Sequence, residues 1–177
     1  MIAKYGTIHH GWDPTPTAED FFNKKAPPAG FVFHKYGLGV KDGVTEVKLP
    51  VGHGDSWTIS EYTKPAQKNK VVPIEIRRME TLLKLGGHEE IAILKIDIEG
   101  AEFEVIRDWK AKKYSPPTHQ ILIEFHERYF KDTNRRWKSL VADAVEEMKS
   151  IGFALVHHKS HEYTFVRSPC LDRKVEP

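Results

Sequence analysis

The chain has 177 residues, 40% hydrophobic and 29% charged, an ordinary composition for one globular domain with a real core. A formal net charge of +2 makes no strong electrostatic claim on nucleic acid or a membrane surface. One cysteine, Cys170, excludes an internal disulfide framework and a cysteine-rich zinc site, and there is no signal peptide or bilayer-length apolar run.

The first element is a strand within Gly6 to Trp12, broken at Asp13-Pro14-Thr15-Pro16. Thr15 can cap the helix that follows and Pro16 suits its first position, with Phe21 and Phe22 expected to face the core. Pro27-Pro28 ends that helix. Phe31 to Tyr36 is a second strand, Lys41-Asp42-Gly43 a turn, and Val44 to Leu49 alternates as an edge strand does. Val51 to Lys70 is polar and reads as a loop that shapes a pocket. Val71 to Ile76 is extended, and Met79 to Leu85 is a helix closed by Gly86-Gly87.

The continuous apolar run from Ile91 to Leu94, plus Ile96, predicts a strand buried on both faces of a parallel sheet. A helix from Ala101 to about Lys112 follows, burying Ala101, Val105, Ile106 and Trp109. Ile121 to His126 repeats the pattern of a buried strand with polar groups at its exit. Trp137, Leu140, Val141, Ala144, Val145, Met148 and Ile151 form a helical stripe. Phe153 to His157 and Tyr163 to Val166 close the chain as an antiparallel pair. The alternation predicts an α/β fold: a Rossmann-like, open, mostly parallel sheet with helices on both faces. One domain is expected over 1–170, with a charged tail over 171–177. The basic pairs Lys24-Lys25, Arg77-Arg78, Lys112-Lys113 and Arg135-Arg136 read as solvated faces.

The most informative stretch is ILKIDIEGAEFEVI, Ile93 to Ile106. Asp97, Glu99 and Gly100 sit at the carboxyl end of a strand, where ligands collect in open α/β sheets. Either carboxylate alone can be a helix cap, while both together with Gly100 point to a site. Asp13 ends the first strand. It can accept from the hydroxyls of a ribose, or simply initiate a turn. Gly37-Leu38-Gly39 lets backbone approach a flat ring. Glu124 and His126 lie at another strand exit, where a histidine serves either as a general base or as a structural hydrogen-bonding group. No metal is expected. The groups His157, His158, His161 and His9-His10 include adjacent strand residues, which point to opposite faces.

ILKIDIEGAEFEVI and QILIEFHERYF (Gln120 to Phe130) resemble the FkbM-type methyltransferases, in their methyltransferase-like branch. HHGWDPTP (His9 to Pro16), HKYGLGVKDG (His34 to Gly43), RRMETLLKLGGHEEIAILK (Arg77 to Lys95) and HEYTFVR (His161 to Arg167) resemble further segments of that family, in order. The resemblance implies an S-adenosylmethionine-dependent enzyme that methylates an oxygen of a sugar or other small hydroxylated acceptor. It places Asp13 at the ribose hydroxyls and Leu38 and Gly39 beside the adenine. Asp97, Glu99 and Glu102 would line the cofactor and acceptor side, with Glu124 and His126 opposite. Asp97, His126 and Glu124 are the catalytic candidates.

Two departures accompany the resemblance. The family's first strand and glycine-rich loop belong upstream of Asp13, where only a few residues stand, so both are expected to be missing. Val40 also stands where the family often has Asp. A truncated domain is expected to be less stable, or to form a homodimer through an exposed sheet edge. The alternative is a non-catalytic α/β module that binds a partner. Neither nucleic acid nor a membrane is an expected partner, and a cytoplasmic location is the expectation, any targeting segment lying upstream.

Overall fold

The computed structural model describes residues 2–49, 70–130 and 137–168. The pocket-shaping loop over 51–69, the Arg135-Arg136 pair, Cys170 and the charged tail fall outside the described residues.

One helical turn, α1 (Ile2–Tyr5), leads to β1 (His9–Trp12). The Asp-Pro-Thr-Pro turn then starts α2 (Pro16–Lys24) as the sequence predicts. The Thr15 hydroxyl accepts from the Ala18 amide at 3.3 Å, and Pro16 sits where its missing N–H costs nothing. β2 (Phe31–His34) lies parallel to β1, with Trp12 opposite His34. Of the two phenylalanines expected in the core, Phe22 packs on Phe31 and Phe33, but Phe21 is 52% exposed. Neighbouring helical residues point about 100° apart, so one sheet cannot cover both.

β3 (Gly37–Leu38) pairs in parallel with β5 (Lys70–Arg77), and β4 (Gly43–Leu49) pairs antiparallel with the same strand. The order β3-β5-β4 leaves β4 at the edge, as its alternation predicts. α3 (Met79–Gly86) buries Met79, Leu82 and Leu83 and stops at Gly87, whose φ of +72° suits glycine.

β6 (Ile91–Ile96), α4 (Glu102–Lys112) and β7 (Thr118–Glu124) follow, then a 3-10 turn over Glu127–Phe130, α5 (Trp137–Ser150), β8 (Phe153–Lys159) and β9 (Glu162–Arg167). These four strands form one sheet in the order β6-β7-β9-β8. The β6–β7 pair is parallel and the other two are antiparallel, so the predicted closing pair is present. Val105, Ile106 and Trp109 of α4 and Ala144, Val145 and Met148 of α5 share a core with Ile121, Ile123, Phe153 and Phe165. The helical stripes read from the sequence are therefore the buried ones. No helix among the described residues is long and apolar enough to cross a membrane.

Two expectations are corrected. Among the described residues the strands form three hydrogen-bonded sheets, of two, three and four strands, and parallel and antiparallel pairings are equally frequent. The sheet is not mostly parallel, because β4, β8 and β9 pair antiparallel, and it is not continuous, because β1 and β6 border a common cavity instead of bonding to each other. For the same reason β6 is not buried on both faces. It bonds to β7, while Ala92, Ile93 and Lys95 are exposed and Ile96 alone is fully covered.

Candidate functional site

The turn between β6 and α4 has an unusual backbone. Glu99 has φ of +54° and Gly100 φ of +106°, so a non-glycine residue occupies the left-handed region. Such a conformation persists only where its surroundings fix it. Here they do so through Glu102. Its carboxylate accepts from the Ile98 amide at 3.1 Å and from the Gly100 amide at 3.2 and 3.1 Å. Neither Asp97 nor Glu99 caps α4; the capping residue is Ala101, with no side-chain hydrogen bond. The helix-cap reading of those two carboxylates is thereby set aside, and Glu102 satisfies the turn instead.

Glu102 has a second task. His126 Nδ1 donates to its Oε1 at 2.8 Å, and both side chains are almost completely buried. With the Nδ1 proton fixed there, the ring presents Nε2 to the exits of β6 and β7. Nε2 lies 3.5 Å from Glu99 Oε2 and 3.8 Å from both Asp97 Oδ1 and Glu124 Oε1. All three catalytic candidates therefore converge on one point, together with Glu99. Burial pulls the His126 imidazole down, but the hydrogen bond and charge of Glu102, with the charge of Glu99, outweigh it against Arg128, and the net shift is upward. Lys95 approaches Asp97 at 3.5 Å from the exposed side.

A cavity of about 930 Å³ adjoins this cluster. One wall is the stretch from Thr7 to Thr15 and the other the stretch from Glu90 to Glu99, with Leu38, Met79 and Leu82 between. Of the predicted cofactor residues, Asp13, Leu38, Asp97 and Glu99 line it. Asp13 Oδ1 accepts from the Thr15 amide at 2.8 Å, so its turn role is also real. Gly39 is not among the lining residues. A Cβ there would stand 2.8 Å from Ile76 Cδ1, so this glycine makes room for β5 of its own chain.

The family described as Methyltransferase FkbM domain matches residues 22–155. This chain belongs to the FkbM methyltransferase family. Among solved structures it is similar to that of Methyltransferase FkbM from Methylobacillus flagellatus KT, at 13% identity and a TM-score of 0.44. That match covers 90% of this FkbM-family chain but 36% of its counterpart, so it spans about a third of the other protein's length. No curated protein matches it.

The β1 wall of this FkbM-family chain, with β2 paired beside it, contains a group that the sequence reading missed. His10 Nδ1 and His34 Nε2 are 2.9 Å apart, so one ring donates to the other. His34 stacks on Trp12 at 3.7 Å between ring centroids, and His88 meets His10 edge-on at 4.4 Å. Only the strand register reveals it, because the sequence spacing of 24 between His10 and His34 carries no pattern. Burial first, then the neighbouring histidines, holds His10 and His34 below the ordinary value of 6.5. The fold therefore binds these protons more weakly than the unfolded chain. Stability from this source is present above pH 6.5 and is lost as pH falls through the unfolded value toward the folded one. Thermal midpoints measured from pH 7.5 to 5.5 should fall less steeply in His10→Asn than in the wild type. Equal slopes would show that the pair does not contribute.

Proposed function

We propose that this chain carries out S-adenosylmethionine-dependent O-methylation of a small hydroxylated molecule or sugar. One observation carries the reading: a single cavity in an FkbM-family chain joins Asp13 and Leu38 on one side to Asp97 and Glu99 on the other. Its volume, about 930 Å³, falls within the ~300–1,000 Å³ usual for small-ligand sites.

The donors fit the cofactor's chemistry. Leu38, Met79 and Leu82 offer apolar surface to a flat ring. A carboxylate accepts at about four lone-pair positions, so Asp13 can hold a vicinal diol while it still accepts from Thr15. Asp97 and Glu99 bring negative charge to the cavity wall, which suits a ligand with ammonium and sulfonium groups. When bound, the cofactor supplies an electrophilic methyl group: the new C–O bond forms as the C–S bond breaks, its electron pair returning to sulfur. The protein's part is to align the acceptor oxygen and to take its proton. Asp97, Glu124 and His126 surround one point and are the groups placed to receive that proton.

Calorimetric titration of the purified chain with S-adenosylhomocysteine tests the reading. Saturable binding is expected, and Asp13→Ala should weaken it by about 10-fold or more, since a hydrogen bond to a charged group contributes roughly 1.5–3 kcal/mol. A well-folded chain that binds none would overturn the reading in favour of a non-catalytic module.

A further inference from the structure

We propose that His126 Nε2 and the carboxylates of Asp97 and Glu99 form a site for one divalent transition-metal cation. The inference departs from the sequence expectation of no metal. It needs only the cluster, not the methyl-transfer reading.

The first argument is spacing. The nearest ligand atoms of Asp97, Glu99 and His126 all lie within 4.8 Å of one another. Nε2 lies 3.5 Å from the Glu99 carboxylate and 3.8 Å from that of Asp97. Ligands that share an ion at ~2.1 Å stand about 3.0–3.5 Å apart, between octahedral and tetrahedral angles. The carboxylates need to move inward by only a few tenths of an ångström, and Asp97, at 39% side-chain exposure, has the freedom to do so.

The second argument is independent of the carboxylates' number. His126 is 1% exposed, and its other nitrogen is held by Glu102, which the Ile98 and Gly100 amides hold in turn. A histidine whose Nδ1–H is bound to a carboxylate, with Nε2 aimed outward, is the arrangement that orients metal-ligating imidazoles. The turn that fixes Glu102 is the turn that places Glu99, so ligands and support are built by the same residues.

The third argument is charge. Three carboxylates face Nε2 and a fourth lies behind the ring, with Lys95 at 3.5 Å from Asp97 and Arg128 acting on His126 as opposing charges. A cation between them relieves that repulsion. One imidazole nitrogen with carboxylate oxygens suits manganese or zinc better than a soft, thiolate-seeking ion. Three protein donors would leave an octahedral ion with open positions for water or for an oxygen of a bound ligand.

The test is titration of the purified chain with Mn2+ at pH 7.5 in a non-chelating buffer, reading free ion by electron paramagnetic resonance. The expected result is saturation at one ion per chain. Asp97→Asn and Glu99→Gln, both at partly exposed side chains, should each weaken binding by about 10-fold or more. Glu146→Gln, on the far more exposed 71% side chain of α5, should leave it unchanged. Absence of saturable binding overturns the proposal, and so does equal affinity in the wild type and both site variants. Titration with S-adenosylhomocysteine in the absence of metal separates this outcome from failure of the methyl-transfer reading.

Discussion

Glu102→Ala should destabilise the fold by about 3–5 kcal/mol, the cost of breaking a buried charged pair from one side. The carboxylate accepts from two backbone amides and from the buried His126 ring. Its removal takes the acceptor from the buried Gly100 amide and His126 ring and from the half-buried Ile98 amide, and each buried unsatisfied group costs roughly 1–3 kcal/mol. Exposed pairs do not compare. Lys149 and Glu146 are 2.7 Å apart, yet both are at least half exposed, and such pairs contribute about 0–1 kcal/mol. At ~2–4 °C per kcal/mol for a domain of this size, the thermal midpoint should drop by roughly 10 °C. Glu102→Gln keeps the volume and an accepting oxygen, and should fall between wild type and Glu102→Ala. An alanine variant within about 1 kcal/mol of wild type would mean that the turn is held by something else.

Local signals were legible wherever the chain satisfies itself over a few residues. Thr15-Pro16 starts α2 and Gly87 stops α3, because caps are chemistry between near neighbours. The α4 and α5 stripes were legible because one helical period decides what is buried. β6 shows the limit. The run from Ile91 to Leu94 with Ile96 reads as a strand buried on both faces, yet Ala92 and Ile93 are exposed, since burial of a strand depends on which strands flank it. Periodicity reports what a segment can bury, and pairing decides what it does bury.

The candidate site divides in the same way. Strand exits pointed to this region, and the structure brings Asp97, Glu99, Glu124 and His126 together from β6, β7 and the residues after them. What the sequence did not separate was Glu102 from Glu99. Both are acidic and three residues apart. One lines the cavity while the other is buried beneath the turn, a difference created by the left-handed backbone at Glu99 and Gly100. Gly39 is the converse case. Its small size looked like space for a ring, and the space is taken by Ile76.

Phe125→Ala should cost about 3–5 kcal/mol, the range for truncating a fully buried aromatic ring. The ring stacks with Phe103 at 5.2 Å and meets Tyr163 edge-on at 5.1 Å, while its backbone amide donates to the His161 carbonyl at 2.8 Å. Through these contacts Phe125 ties the exit of β7 to α4 on one side and to β9 on the other. Its chain neighbours are Glu124 and His126, which point toward the acidic cluster. A strand that alternates must put the residue between them on the opposite side, so packing on one face sets aim on the other. Urea unfolding should show a lower midpoint with an unchanged slope in Phe125→Ala, and Phe125→Leu should recover most of the loss. If the midpoint stays put, the aim of His126 is set by Glu102 alone, and the core beneath β7 contributes nothing to it.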